Sequence, residues 1–457
     1  MNTIILSAIF GVVMMFSGIF IDNRSIYKHI AAFALLLLLV FNVAESHAFT
    51  LFNINAKYFL HFEKYGLLFT SVCIFSTLVY VLLSGKDIEK AGKNTAEIFA
   101  LIFFVLCGIG IVTSYVNLLM LFIGIEILSI PLYILTGSDK KNLKGNEAAL
   151  KYFLMGSFST GIMLMGIALL YGATGTFAIE HVVTAGRMLS YLEALGMVLI
   201  FVSLAFKVSA APFHFWTPDV YDGAPAVITS FMATIVKVAG FAAFIRLFEG
   251  RYGTMGSQTD RLIALVIILT LAFGNLTAVF QQSVKRMLAY SSIAQAGFMM
   301  FALFAANDVA KEGLLLYAAA YSLATIGIFA VLTKMDDMTL EGFNGFAKSQ
   351  PLIAALLAIF LLSLAGIPLT GGFFAKYYML SAIVKTNHYL GLVIIGVLFA
   401  AVSAYYYFRV IQAMYFKDGN IVLAPVSKSF KYLLFAVAVI IIVLGIYPNA
   451  LLSLLYF

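Results

Sequence analysis

Five ionisable side chains stand inside long apolar runs of this 457-residue chain: Glu126, Lys151, Lys207, Lys237 and Lys376. The densest stretch is Ser203 to Asp219, SLAFKVSAAPFHFWTPD, where Lys207 is followed by Pro212, His214 and Pro218. Proline removes a helical hydrogen bond and clashes with the preceding turn. The spacing therefore predicts a helix broken just after Lys207, with a cation and a titratable ring beside backbone groups that lack helical partners. The chemistry open to such groups is proton transfer. Burial loosens an amine's hold on its proton and a nearby carboxylate tightens it, so amines and carboxylates in hydrocarbon can trade protons near neutral pH as a coupled set. A charge at the bilayer centre costs about 2.5 to 3.5 kcal/mol on insertion scales. With one carboxylate facing four amines, static pairing cannot neutralise them all. Two positions keep a second reading: Lys151, close to a helix end, can snorkel to the interface, and His214 can either relay protons or cap exposed carbonyls.

The elements that hold these residues belong to a membrane. The sequence is 63% hydrophobic and 11% charged, roughly half the charged share of a soluble domain, and apolar runs of spanning length recur throughout. The net charge of +7 reads as orientation charge facing cytoplasm and anionic lipid, not as nucleic-acid affinity. Cys73 and Cys107 show no paired spacing, which points away from a disulfide framework or a metal or iron-sulfur centre. Neither a dinucleotide fingerprint nor a P-loop is present, so no nucleotide cofactor is expected in this chain. The first apolar run, Asn2 to Phe20, lacks a basic leader and a cleavage site, and is expected to be a retained span.

Fourteen spans are predicted. Six precede an interrupted one at 191–222, and a second interrupted span at 351–384 is the twelfth; the last is placed at 432–456. Pro368, Gly371 and Gly372 supply the second break, with Lys376 just beyond. Residues 97–249 and 258–413 form two blocks of five spans with the broken helix fourth in each. Because five is odd, the second block must be inverted relative to the first, the architecture in which transport sites sit at broken helices. Residues 1–96 then hold three N-terminal helices, and 414–457 the C-terminal one. Sixteen loop lysines and arginines fall on one side of the membrane and eight on the other, which places both termini on the periplasmic side. Arg246, Arg251 and Arg261 run against that rule locally.

The segments IGIEILSIPLYIL, FKVSAAPFHFWTPDVYDGAP and AVFQQSVKRMLAYSSIAQAGF resemble the antiporter-like membrane subunits of respiratory complex I and their relatives among cation/proton antiporters. The resemblance covers nearly the whole chain. It implies an all-α fold of fourteen helices with two inverted five-helix repeats and two discontinuous helices, and a central row of polar residues carrying protons. Glu126, Lys207, Lys237 and Lys376 match the family's glutamate of helix five and lysines of helices seven, eight and twelve; Lys151 matches a further lysine of helix six. The chain leaves no room for the long lateral helix of subunit L, and GGFFAKYY carries lysine where subunit M typically has glutamate, so the likeness is closest to the subunit N branch.

That branch implies a non-redox role within a bacterial proton-translocating NADH:quinone oxidoreductase of the inner membrane. The neighbours implied are subunit M and the small K and J subunits, surrounded by lipid, with no nucleic acid. Flavin, iron-sulfur clusters and quinone are implied for partner subunits and none for this chain. On this reading Glu126 pairs with protonated Lys207, loaded from the cytoplasm, and the proton moves through Lys237, with water near His214, toward Lys376. Lys285 and Arg286 are expected to be interfacial anchors. A multi-subunit sodium/proton antiporter and a non-transporting scaffold are the rival classes.

Overall fold

In a computed structural model, residues 1–21, 23–92, 94–182, 190–248, 257–386, 389–419 and 423–456 are described. Among the basic loop residues counted above, Lys93, Arg187 and Arg251 lie outside them. Twelve described helices are long and apolar enough to span a membrane. They are α1 (Asn2–Phe20), α2 (Arg24–Ser46), α3 (Lys64–Ala91), α4 (Thr95–Val112), α5 (Leu118–Thr136), α6 (Leu143–Thr174), α8 (Ala226–Phe248), α9 (Ser257–Val279), α10 (Val284–Ala305), α11 (Asp308–Leu332), α13 (Leu390–Phe416) and α14 (Lys428–Ile446). Two interrupted helices complete the fourteen: α7a (Tyr191–Lys207) with α7b (Trp216–Gly223), and α12a (Pro351–Ala365) with α12b (Gly371–Val384).

The layering follows from which apolar helices are covered. The spanning windows of α8 and α11 are 100% buried, whereas that of α1 is 22% buried and that of α13 28%. A helix apolar on every side belongs either in a core or in lipid; here α8 and α11 form the core, and α1 and α13 lie at its periphery. Lys237 of α8 and Tyr317 and Tyr321 of α11 are thereby held at the centre of the molecule.

Both breaks fall where proline and glycine place them, and their orphaned backbone groups find partners, as a helix end in a water-poor interior requires. At the first, Trp216 Nε1 donates to Phe206 O at 3.1 Å and Ala211 N donates to Thr270 Oγ1 at 2.9 Å. At the second, Gly366 ends α12a with φ +85, a left-handed backbone that favours glycine. A Cβ at Gly372 would overlap the Ser363 carbonyl, so the start of α12b can pack there only with no side chain. The amide of Gly372 donates to Ser363 Oγ at 3.2 Å.

Three expectations need correction. Helix α6 begins at Leu143 because the Asn142 side chain accepts from Lys144 N and Gly145 N; Lys151 therefore lies about two turns inside it, not beside its end. The last span stops at Ile446 and not near 456, since Pro448 follows. Lys285 is not an interfacial anchor: it is 8% exposed and donates to Asp222 O at 2.7 Å and Ala224 O at 2.6 Å, closing the C-terminal end of α7b. Arg246 also departs from a free loop charge. It donates to Tyr115 O at 2.5 Å and His61 O at 3.2 Å and lies 3.5 Å from Glu63, which explains why it breaks the loop-charge bias.

Candidate functional site

Helix α5 carries Glu126, Ser129 and Tyr133 at intervals of three and four residues, so the three share one face. Lys207, the last residue of α7a, meets that face: its Nζ donates to Ser129 Oγ at 2.8 Å and to Tyr133 Oη at 3.2 Å. The expected partner, Glu126, makes no ion pair with it among the described residues, and Glu126 Oε1 is buried without a hydrogen-bond partner. Ser129 donates its own hydroxyl proton to Ile125 O at 2.5 Å, which turns the oxygen's lone pairs toward the lysine. Pro131 lies within this helix.

Beyond the break, His214 is 4% exposed and its Nδ1 has no hydrogen-bond partner among the described residues, so that nitrogen caps none of their carbonyls. The ring stacks on Phe215 at 4.6 Å. Lys237 follows a π-helical turn, Met232–Val236, whose carbonyls are held from outside: Tyr221 donates to Met232 O at 3.2 Å and Tyr321 to Ala233 O at 2.8 Å. Single π-turns of this kind are frequent at functional sites. Lys237 is 1% exposed, donates to Ser292 O at 3.0 Å and Ser292 Oγ at 2.9 Å, and lies 5.7 Å from the Tyr221 ring centre.

From Ser292 the polar row continues along α10 to Gln295. Its Nε2 donates to Tyr407 Oη and to Leu364 O, each at 3.0 Å, and its Oε1 accepts from Tyr317. A small cavity next to it is lined by Gln295, Tyr317, Tyr321, Ser363 and Lys376 among others. Lys376, on the second turn of α12b and 6% exposed, donates to Ala365 O at 2.9 Å and Ser403 Oγ at 3.2 Å. Its ammonium therefore closes the end of α12a, where carbonyls carry partial negative charge.

Lys207, Lys237 and Lys376 are thus brought together with neutral hydroxyls and carbonyls and, among the described residues, with no carboxylate in direct contact. Such amines can exist charged or neutral, because their partners do not demand the charge. Lys151 stands apart. It pairs with Glu147 at 2.7 Å and Asp219 at 3.3 Å, and Arg286 bridges Asp219 at 3.1 Å and Asp222 at 3.6 Å. This is a charged, partly exposed cluster around α7b. Sequence reasoning missed Ser129, Tyr133, Tyr221, Ser292, Gln295, Tyr317, Tyr321, Tyr407 and Ser403. Ser129 and Tyr133 could have been found from their helical spacing to Glu126.

The family described as NADH:quinone oxidoreductase/Mrp antiporter, TM, matches residues 116–403, the stretch that holds Glu126 and the lysines of this row. NADH-quinone oxidoreductase subunit N of Cytophaga hutchinsonii is 38% identical over 99% of this chain and 99% of its own length. This chain belongs to that family. A chain in respiratory complex I from Thermus thermophilus with bound aureothin has the same fold, with TM-score 0.86 and 32% identity over 99% of this chain and 98% of that one. A chain of the Mrp complex from a Dietzia species matches with TM-score 0.84 at 17% identity, covering 100% of this chain and 96% of that one, a likeness of fold alone. The multi-pass, fourteen-helix architecture with two broken helices is therefore the family's architecture, and membrane-subunit partners in a larger complex go with it.

Proposed function

We propose that this chain is the proton-translocating antiporter-like subunit N of an NADH:quinone oxidoreductase, coupling quinone reduction elsewhere in the complex to proton movement along Glu126, Lys207, Lys237 and Lys376. The observation that carries the reading is the set of three inward-facing lysines on neutral partners, with Ser292, Gln295 and the α11 tyrosines placed between Lys237 and Lys376. Membrane packing alone gives no reason to strand them there, at about 2.5 to 3.5 kcal/mol each on insertion scales.

In this reading Glu126 holds a charged Lys207 when the two are in contact, and parting them frees the proton to pass toward Lys237. His214, buried beside the break, borders that passage. Between Lys237 and Lys376 the described groups are neutral, so transfer there runs through hydroxyls and any water in the cavity beside Gln295. Lys151, with Glu147 and Asp219, forms a charged mouth on the side that the loop charges assign to the cytoplasm. Both termini then face the periplasm of a bacterial inner membrane. Subunit M and the small K and J subunits are the neighbours, and flavin, iron-sulfur clusters and quinone reside in other subunits.

The test is the NADH-driven pH gradient across inverted membrane vesicles containing the complex with Lys376→Ala. Quinone reduction with the gradient lost supports the reading. A full gradient without Lys376 contradicts it, and a gradient that requires sodium favours the antiporter class.

A further inference from the structure

We propose that Ser129 and Tyr133 form a second seat for the Lys207 amine, which the lysine occupies when it has left Glu126. The inference rests on the proton-transfer reading above and deepens it. Three observations on α5 and α6 carry it. First, the Lys207 amine is found on Ser129 Oγ and Tyr133 Oη, while Glu126 Oε1 is buried with no hydrogen-bond partner among the described residues. A buried carboxylate oxygen left unmatched one helical turn from the lysine's present partner Ser129 is an unfilled position for that amine. Second, the seat is built. Ser129 is 0% and Tyr133 7% exposed, and the Ser129 hydroxyl is fixed by its bond to Ile125 O. Third, α6 makes room for the tyrosine. A Cβ on Gly156 would overlap the Tyr133 hydroxyl, and the Tyr133 ring packs edge-on against Tyr152 at 4.8 Å.

The two seats differ in chemistry. A carboxylate only accepts hydrogen bonds and favours the charged ammonium. A phenol accepts from an ammonium or, by rotating its O–H, donates to the lone pair of a neutral amine. The Ser129/Tyr133 seat thus fits lysine in both protonation states, which the Glu126 seat does not, so the lysine can give up its proton there without leaving a bare polar group in hydrocarbon. Ser129 and Tyr133 are positioning residues: they hold the amine and carry no proton themselves.

The test uses the assembled complex and its NADH-driven proton pumping per electron, with Tyr133→Phe, Ser129→Ala, Ser129→Thr and Gly156→Ala. Losing the Tyr133 or the Ser129 hydroxyl is expected to lower pumping about 10-fold, the weight of one hydrogen bond to a charged group. Ser129→Thr, which keeps the hydroxyl, retains pumping, and Gly156→Ala reproduces Tyr133→Phe. In a Glu126→Gln background the choice between seats is gone, and Tyr133→Phe then adds less than about a 2-fold further loss. Additive losses in that background, or full pumping in both hydroxyl-deletion variants, overturn the seat. Lys207→Ala separates the two levels: if it abolishes pumping while the hydroxyl variants pump fully, only the seat is wrong; if it too pumps fully, the proton-transfer reading falls with it.

Discussion

Lys207 and Glu126 face each other across α7a and α5 without touching: the lysine's Nζ lies 2.8 Å from Ser129 Oγ, and the glutamate's Oε1 has no hydrogen-bond partner. The observed arrangement is the separated one, and the proposed switch requires a second arrangement in which the two pair. A switch needs both.

Lys237 offers a separation of function from stability. Its ammonium is almost fully enclosed and, among the described residues, hydrogen-bonded to Ser292 alone, and Ser292 keeps its own bond to Ala289 O at 2.7 Å without it. Replacing it with leucine removes an insertion penalty of about 2.5 to 3.5 kcal/mol. Lys237→Leu is expected to leave the thermal unfolding midpoint of the purified complex unchanged or higher, while NADH-driven proton pumping is lost. A fall in both would make Lys237 a structural residue.

The second break depends on Gly366. At φ +85 an added methyl group is strained and would lie 2.8 Å from Lys376 Cδ. Gly366→Ala should cost about 1 to 2 kcal/mol from the backbone alone and shift Lys376 from its seat on Ala365 O. Thermal unfolding checks the first effect and pumping the second.

Asp87 and Lys334 clamp α3 to the end of α11, with Lys334 Nζ 2.7 Å from both carboxylate oxygens and side-chain exposures of 4% and 13%. Breaking one side of a buried pair typically costs about 3 to 5 kcal/mol, whereas replacing both by apolar groups is often neutral. Asp87→Asn should lower the yield of assembled complex, and Asp87→Leu with Lys334→Met should restore much of it, measured by size-exclusion chromatography.

Asp418, on the surface, is held below its ordinary value of 3.8 by its hydrogen bond to Lys348 and by that lysine's charge. A depressed carboxyl value contributes stability that is fully present above the unfolded value and lost as pH falls through the folded one. Asp418→Asn should therefore leave the pH dependence of thermal stability unaltered from about pH 5 to 8 and change it only below about pH 4. A change near neutrality would point to another partner.

The spans and both breaks could be read from the sequence because run length, proline and glycine act locally. Lys207, Lys237 and Lys376 stood out because a charge in an apolar run is rare. Ser292, Gln295 and the α11 tyrosines did not: neutral polar residues carry no comparable signal, and their roles arise only when α8, α10, α11 and α13 pack together. The π-turn before Lys237 escaped notice because the β-branched run Thr234–Val236 lowers helix propensity without marking where a π-turn forms. Lys285 looked like a loop anchor because α7b, whose end it closes, is distant in the chain.

The most direct measurement is the number of protons moved per NADH oxidised by the complex in proteoliposomes, compared between the unaltered chain and Lys207→Ala. Loss of pumping, with the complex intact and quinone still reduced, is the expected result. An unchanged proton-to-electron ratio would contradict proton transfer through Lys207.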